Sequence, residues 1–401
     1  MLSTNDLRTT LKRRRDRLAT QLDCPALLWS GCAPARNFPA NRFPFRASSH
    51  FLYFAGIPLE NAVILIEGGR LELFYDDPPA ASILWHGETP SRAQLAAVMG
   101  ADDARPLDAL PACASTAATI PHADARTASQ QQECLNRAAD LSEPRDRALA
   151  EAIVALRLIH DETAIAAIRA AAAITVAAHK AGMAATVPTS TEATVRAAIE
   201  AVFLAHNATP AYNSIVTVCG EVLHSDRYEN QLATGDLLLV DAGAETASGW
   251  ASDVTRTWPV AGQFSSTQRD LYDVVLAAHD GAIAAVRPGV EYREVHLLAA
   301  TILARGLVDL GILRGNAEDL VAQDAHALFF PHGIGHLLGL DVHDMEDLGD
   351  LAGYAAGRQR SDRFGFGYLR LDRPLNVGNI VTIEPGFYQV PALVPDRSPA
   401  R

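Results

Sequence analysis

Two apolar segments in the second half of this 401-residue sequence end abruptly on an acidic residue. One runs from Leu237 to Asp241 and is followed by Ala-Gly; the other runs from Ile380 to Glu384 and is followed by Pro-Gly. Both have the composition of buried strands, and an unpaired charge at the end of a buried strand is expensive in free energy. The fold must therefore provide a partner for each carboxylate.

A third carboxylate, Asp253, follows Asp241 within the same half of the chain. If residues 244–249 turn back as a hairpin, Asp253 lies roughly opposite Asp241, and two like charges share a small space. A bound dication relieves such repulsion. The alternative is that Asp241 caps a turn while Asp253 pairs with Arg256, and the hairpin sequence alone favours neither arrangement.

Three of the 13 histidines, His332, His336 and His343, fall within twelve residues. The spacing of the first two imitates a helical zinc motif, but Pro331 and Gly333 disfavour a helix there. In an extended segment the side-chain period is two, so His332 and His336 share a face. Glycines beside histidines allow a ligand or metal to approach the backbone closely.

The candidate metal ligands are Asp241, Asp253, His336 and Glu384. This oxygen-rich set with one nitrogen suits Mn(II) and tolerates Co(II) or Zn(II). The five cysteines are far apart and form no CxxC pair, which excludes a cysteine-rich structural zinc site. Their odd number predicts reduced thiols and a cytoplasmic protein.

The composition indicates a globular chain of two domains. We predict a mixed α/β domain over residues 1–150, with strand-like runs at 26–30, 51–55, 62–66 and 70–75. An α+β domain with a largely antiparallel sheet follows over residues 151–401. Its predicted strands are 214–219, 237–240, 251–258 and 380–383, and its predicted helix starts are Asp161, Thr189 with Glu192, Ser265 with Gln268, and Glu291.

The charge balance argues against nucleic-acid and membrane partners. There are 34 basic and 47 acidic side chains, and the net charge of -13 repels phosphate. The local basic cluster from Lys12 to Arg15 is interpreted as the solvated face of a first helix. No uninterrupted apolar run reaches the ~18 residues that a membrane span requires.

These motifs resemble those of the pita-bread metallopeptidases, which include aminopeptidase P, prolidase and methionine aminopeptidase. Aspartate in Asp-Ala-Gly, aspartate in Asp-Val-Thr-Arg-Thr, histidine in His-Gly-Ile-Gly-His and glutamate in Ile-Glu-Pro-Gly-Phe-Tyr appear in the family's order. The segment from Leu338 to Asp344 resembles the aminopeptidase P and prolidase branch. The segments Phe43 to Gly56 and Trp85 to Glu88 resemble the aminopeptidase P amino-terminal domain. The resemblance implies such a domain followed by a pita-bread catalytic domain.

The resemblance also implies roles for the metal ligands. Asp241 would be a bidentate ligand of one metal, Asp253 would bridge two, and His336 and Glu384 would hold the other. The nucleophile would be a metal-bound hydroxide, with Glu384 helping to take the proton.

On the substrate side, the resemblance implies that His332 and His343 contact the scissile carbonyl and that His224 contacts the substrate. The reaction would be Xaa-Pro aminopeptidase activity on small peptides with proline at the second position. The alternatives are a prolidase that cleaves Xaa-Pro dipeptides, or a catalytically impaired pita-bread protein that binds without chemistry. Relatives of this kind are commonly homo-oligomers.

Three departures from the family pattern are visible, and one of them is that the family's compact His-Tyr motif is replaced after His224 by Ser-Asp-Arg-Tyr. The segment from Asp241 to Asp253 is one residue longer than usual. A one-residue change reverses the face to which the following side chains point, unless a bulge restores it. The family also has a second bridging glutamate after Glu384, whereas the segment Pro385 to Arg401 contains no glutamate and only Asp396 as an acidic residue. The sequence thus predicts a truncated carboxy-terminal end, one moderately held ion, and a second ion that is weak or absent.

Overall fold

The structure, a computed structural model, describes residues 4–393 of the chain. Contacts divide the chain into two compact units, Met1–Arg157 and Leu158–Arg401. The division falls at the end of a helix, Pro144–Arg157, whereas the boundary expected at residue 150 lies inside that helix. Asp396 and the predicted truncation lie outside the described residues.

The first unit contains a mixed five-stranded sheet with helices around it. The sheet order is β6-β5-β4-β1-β7, where β1/β4 and β4/β5 are antiparallel and β1/β7 and β5/β6 are parallel. The strands are β1 Ala26–Trp29, β2 Ala35–Phe38, β3 Asn41–Arg42, β4 Val63–Glu67, β5 Arg70–Phe74, β6 Asp103–Arg105 and β7 Ala118–Thr119. The helices are α1 Thr4–Ala19, α2 Ser49–Ala55, α3 Ile83–His86, α4 Arg92–Met99, α5 Pro111–Ala114, α6 Ala125–Leu135 and α7 Pro144–Arg157, with 3₁₀ turns at Ala80–Ser82 and Leu107–Ala109.

The strand predicted at residues 51–55 is wrong, because this segment forms helix α2. All seven residues of α2 are buried, so no polar face reveals the helical period. Gly56 ends the helix with a φ of 73° and donates its backbone N–H to the Leu52 carbonyl. This left-handed helix cap was the available sequence signal.

The interpretation of Lys12 to Arg15 as a solvated helix face is wrong for half of the cluster. Arg14 and Arg15 are buried in the first unit. Arg14 donates to the Tyr53 carbonyl at 2.9 Å, and Arg15 donates to the Gly100 carbonyl at 2.9 Å. Two of the four basic groups therefore hold the helix to its own domain and offer no surface to a phosphate backbone.

The second unit packs long helices against a small antiparallel sheet of order β12-β10-β9 and a two-stranded β11-β8 ribbon. The strands are β8 Thr209–Pro210, β9 Ile215–Thr217, β10 Leu237–Ala242, β11 Ala244–Glu245 and β12 Val254–Pro259. The helices are α8 Glu162–Ala185, α9 Glu192–Ala205, α10 Ser266–Ala285, α11 Tyr292–Asp309, α12 Ala317–Ala322 and α13 Asp350–Gly353, with 3₁₀ turns at Ala325–Leu328, Glu346–Leu348 and Phe366–Tyr368. This is the predicted α+β class.

Strand β10 separates the core of this unit from the side that carries Asp241. Leu238, Val240 and Ala242 are buried in a cluster with the apolar face of α9. Because side chains alternate along a strand, Asp241 points to the opposite face. The core thereby fixes the direction of the acidic side chain.

Two of the predicted helix starts illustrate how cap signals succeed and fail. Ser265 and Gln268 form the predicted capping box of α10. Thr189 is not a cap, since α9 starts two residues later with Thr191, whose side chain accepts from the Thr194 N–H. Thr189 instead occupies a left-handed turn with a φ of 76°.

Helix α8 is long and apolar enough, by length and composition, to cross a membrane. Its buried residues include Ala164, Ile168, Ala171, Thr175 and Ala178, which recur at intervals of three or four. This spacing is that of a helix packed on a protein core, so the feature is weak evidence for a membrane span.

Candidate metal centre and active site

Asp241 and Asp253 lie on the two arms of one antiparallel hairpin. Asp241 is opposite Thr255, and the bridge from Glu245 to Ala251 follows the same register. The register therefore places Asp253 diagonally across from Asp241 on the same face, two positions beyond its direct partner. The same register runs from the Asp241–Thr255 pair to the Glu245–Ala251 bridge without a bulge, and residues 246–250 form the connecting loop.

The position directly opposite Asp253 in this register is Gly243. A Cβ atom at Gly243 would lie 1.8 Å from the Ser252 carbonyl oxygen, so only glycine fits. Arg256 is exposed and donates to the Thr255 carbonyl. Asp253 therefore does not pair with Arg256, the alternative considered above, and instead contacts Tyr212 and His336 in the interior.

Tyr212 joins the two aspartates. Its hydroxyl oxygen lies 2.5 Å from Oδ1 of Asp241 and 2.7 Å from Oδ1 of Asp253. A phenol has one hydrogen and can donate to only one carboxylate at a time. Burial, followed by repulsion from Asp253, raises the pKa of Asp241 well above its ordinary value. Without a cation the charged form of Asp241 beside Asp253 is therefore disfavoured.

His336 closes the other side of Asp253. Its Nε2 atom is 3.1 Å from Oδ2 of Asp253 and 3.5 Å from Oε1 of Glu384. Its Nδ1 atom lies 2.9 Å from the Leu337 carbonyl, which can only accept, so the hydrogen of the neutral ring is on Nδ1. The Nε2 lone pair consequently faces two carboxylate oxygens, an arrangement that a proton or a metal ion must neutralise.

The charges in this cluster depend on one another. Burial opposes ionisation of Asp253 and of His336, but their mutual hydrogen bond and the attraction of neighbouring charges together outweigh it, so the pKa of Asp253 is lowered and that of His336 is raised. Burial raises the pKa of Glu384 to about 7. Such opposed shifts within one buried cluster are typical of functional sites.

Glu384 reaches the site on an extended segment that is not the strand predicted at 380–383. Val381 makes an isolated antiparallel bridge with Leu337, and the Glu384 N–H donates to the Ile334 carbonyl at 2.8 Å. Bends beside the glycines of the partner segment interrupt a regular ladder. Thr382 supports both ligands, since its hydroxyl accepts from the His336 N–H at 3.0 Å and lies 3.4 Å from Oε1 of Glu384.

His332 lies beside the metal ligands and contacts Tyr388. Its Nδ1 donates to the Gly333 carbonyl at 2.8 Å, so Nε2 accepts from the Tyr388 hydroxyl at 3.1 Å. Burial lowers the pKa of His332 to about 4, and repulsion from His224 contributes to the shift. His332 is therefore neutral at pH 7, and the hydrogen on this side of the site belongs to Tyr388.

The two remaining predicted histidines differ in exposure: His343 is partly buried and His224 is exposed. The His343 ring lies edge-to-face against the His336 ring, with centroids 4.2 Å apart. His224 is exposed, in the turn after strand β9, and acts on His332 through its charge. The structure thus brings together six predicted residues and leaves His224 at the rim.

The comparisons with known proteins agree with this geometry. Residues 166–398 match metallopeptidase family M24, and residues 11–122 match the aminopeptidase P N-terminal domain. The chain belongs to metallopeptidase family M24. As an M24 peptidase it is 31% identical to the Xaa-Pro aminopeptidase of Haemophilus influenzae, over 94% of this chain and 85% of that protein.

One further sequence relative and one solved structure are similar to this M24 peptidase. It is 39% identical over 247 residues to the Xaa-Pro aminopeptidase of Escherichia coli K12; the alignment covers 60% of this chain and about half, 51%, of that protein. The structure of Pseudomonas aeruginosa aminopeptidase PepP superposes with a TM-score of 0.82 at 29% identity, covering 96% of this chain and 88% of that one.

The donor set of this M24 peptidase fits a divalent metal ion. One ligand atom each from Asp253, His336 and Glu384 lies within 4.8 Å of the others. Two carboxylates and an imidazole lone pair are ligands that such ions accept. Asp241 adjoins the group through Tyr212.

Three residues of the site were missed by the sequence reasoning. Tyr212 follows a short strand with no acidic or histidine neighbour to mark it, while Thr382 and Tyr388 lie inside the Glu384 motif. The alternation of Thr382 with Glu384 in an extended segment could have identified the threonine.

Proposed function

We propose that this chain is a metal-dependent Xaa-Pro aminopeptidase, which hydrolyses the bond between the first residue of a small peptide and a following proline. The observation that supports the proposal is the convergence of Asp253, His336 and Glu384 on one point, with ligand atoms within 4.8 Å of one another. Family membership and the names of the relatives agree with this activity.

Asp253, His336 and Glu384 would hold a divalent ion, with Asp241 next to Asp253. When bound, such an ion polarises a carbonyl oxygen and makes water a stronger acid. Glu384 takes the proton that the attacking water loses and returns it to the leaving proline nitrogen. Like any amine leaving group, that nitrogen must gain a proton before the carbon–nitrogen bond breaks.

On the opposite side of the reacting carbonyl, His332 and Tyr388 act as a pair. The Tyr388 hydroxyl, which donates its single hydrogen to Nε2 of His332 in the free protein, turns this hydrogen to the oxygen that gains charge when the substrate is bound. His343 contacts the same carbonyl region, and His224 at the rim contacts the peptide.

We propose Mn(II) as the ion, with Zn(II) and Co(II) as substitutes, because three of the four donor groups are carboxylates. One ion would be held by Asp253, His336 and Glu384. Asp241 and Asp253 would hold a second ion more weakly, because the Tyr212 hydroxyl already serves one of these two carboxylates. Metal analysis with and without added Mn(II) tests this proposal, and two equally tight ions per chain contradict it.

The activity is tested on chelator-treated protein with added Mn(II), using Ala-Pro-Ala, Ala-Pro and Ala-Ala-Ala. We expect cleavage of Ala-Pro-Ala alone, and a loss of more than about 100-fold in Asp253→Asn but not in the exposed Asp309→Asn. Preferential cleavage of Ala-Pro identifies a prolidase. Binding of Ala-Pro-Ala without cleavage, at excess Mn(II), identifies a binding protein.

We also propose that the protein is cytoplasmic and homo-oligomeric. The free thiols at Cys24, Cys32, Cys113, Cys134 and Cys219 support a reducing compartment. Sedimentation analysis of the purified protein tests the assembly, and fractionation of the source cells tests the location.

A further inference from the structure

Glu346 connects His343 of the site with Arg370, which follows much later in the sequence. Its Oε2 atom is 2.5 Å from Nδ1 of His343, and its Oε1 atom forms an ion pair with Arg370. A carboxylate accepts from both partners at once, one through each oxygen. Glu346 therefore fixes the ring of His343 while Arg370 fixes Glu346.

The backbone between His343 and Glu346 forms a turn that allows their side chains to meet. Met345 is fully buried and has a φ of 60°, in the left-handed region that non-glycine residues rarely occupy. This turn brings the Glu346 N–H to 3.2 Å from the His343 carbonyl. A strained residue that is held by burial indicates a position where local geometry matters more than local stability.

The stability of the fold does not explain the contact. The side chain of Glu346 is 46% exposed and that of His343 is 34% exposed. Ion pairs this open to solvent contribute little to the free energy of unfolding. What the contact does fix is the hydrogen of the neutral imidazole, which must be on Nδ1 to reach Glu346 and leaves Nε2 free.

We propose that Glu346 is the positioning residue of His343: it sets the ring tautomer and orientation with which His343 meets the substrate. The inference rests on the proposed Xaa-Pro hydrolysis. It differs from the role of a metal ligand, since Glu346 acts on a substrate-side histidine. Carboxylate partners of this kind are known to orient functional imidazoles elsewhere.

The test uses Glu346→Ala and Glu346→Gln in the Mn(II)-loaded protein with Ala-Pro-Ala. In Glu346→Ala we expect kcat to fall about 10- to 100-fold with KM and Mn(II) affinity unchanged. Glu346→Gln keeps an acceptor oxygen for Nδ1 and should recover activity to within about threefold of wild type. Glu318→Ala is the matched control, because Glu318 is also an exposed acid paired with an arginine, Arg305.

A second measurement reads the ring directly. In the metal-free, ¹⁵N-histidine-labelled protein, NMR should show the His343 hydrogen on Nδ1 in wild type and in Glu346→Gln, and a mixture of tautomers in Glu346→Ala. An unchanged tautomer together with unchanged kcat in Glu346→Ala overturns the positioning role, as does an equal loss of kcat in both variants. An inactive wild type with the Nδ1 tautomer intact instead contradicts the proposed hydrolysis.

Discussion

At the scale of single residues, the main feature of the site is that two buried carboxylates share one hydrogen-bond donor, the hydroxyl of Tyr212. The sequence identifies Asp241, Asp253 and Glu384 because each interrupts an apolar run. It does not identify Tyr212, because an isolated tyrosine after a short strand has no distinguishing pattern. Tyr212 meets the two carboxylates only in the folded chain, and the spacing of residues in the sequence does not reveal this contact.

Replacing Tyr212 by phenylalanine should make the metal-free protein less stable and more dependent on metal. The loss of the donor leaves the buried Asp241 and Asp253 facing each other, at a cost of about 1–3 kcal/mol. A dication relieves the same repulsion. Thermal unfolding should therefore show a lower Tm for Tyr212→Phe without metal, and a larger Mn(II)-induced increase than in wild type.

The control for this prediction is Tyr368→Phe, because Tyr368 is 63% exposed. It should unfold as wild type does under both conditions. If Tyr212→Phe loses as much stability with saturating Mn(II) as without it, the hydroxyl serves packing alone and the electrostatic account is contradicted.

At the scale of elements, the sequence was most reliable where local chemistry decides the structure. The apolar run of β10 and the Ser265–Gln268 capping box are local, and both the strand and the cap are found as predicted. Residues 51–55 and 380–383 were assigned incorrectly, because burial on all sides conceals the period of the first segment. The second is extended, but its glycine-rich partner segment pairs with it through an isolated bridge and not through a regular strand ladder.

Gly335 is the glycine whose substitution should disturb the metal centre most directly. A Cβ atom there would lie 2.3 Å from the Thr382 carbonyl oxygen and 2.5 Å from the Tyr292 hydroxyl. Gly335→Ala must therefore push the His336 segment away from the Glu384 segment. We expect weaker Mn(II) binding by isothermal titration calorimetry, by about tenfold or more if the ligands move by an ångström.

Gly220→Ala provides the comparison, since its added Cβ would meet nothing closer than 3.4 Å, from the Leu239 side chain. This variant should bind Mn(II) as wild type does. Wild-type affinity in Gly335→Ala would mean that the two segments adjust without moving the ligands, contrary to the arrangement described here.

At the scale of the whole molecule, the second unit carries a buried histidine pair apart from the metal ligands. His296 and His326 are almost fully buried, with ring centroids 6.3 Å apart among Phe330 and Phe366. Within residues 4–393, none of their four ring nitrogens has a hydrogen-bond partner. Burial, followed by repulsion from His326, lowers the pKa of His296 to about 3.

This pair should make the fold sensitive to acid. A histidine whose pKa is about 3 in the folded state and ~6.5 in the unfolded state leaves the unfolded chain with more bound protons between those values. Above about pH 6.5 the imidazole is neutral in both states and its burial does not make stability depend on pH. The free energy of unfolding decreases as the pH falls from there toward 3. His326 shifts in the same direction, because burial outweighs the charge of Asp324.

Urea unfolding of wild type and His296→Leu between pH 7 and pH 4 measures the effect. Wild type should lose about 3 kcal/mol more than the variant over this range, since each pH unit below the unfolded pKa of ~6.5 corresponds to about 1.4 kcal/mol. His206→Leu, at an exposed position, should follow wild type. Parallel pH curves for wild type and His296→Leu would mean that His296 gains a partner for its charge, and would place the acid sensitivity of the fold in the carboxylates instead.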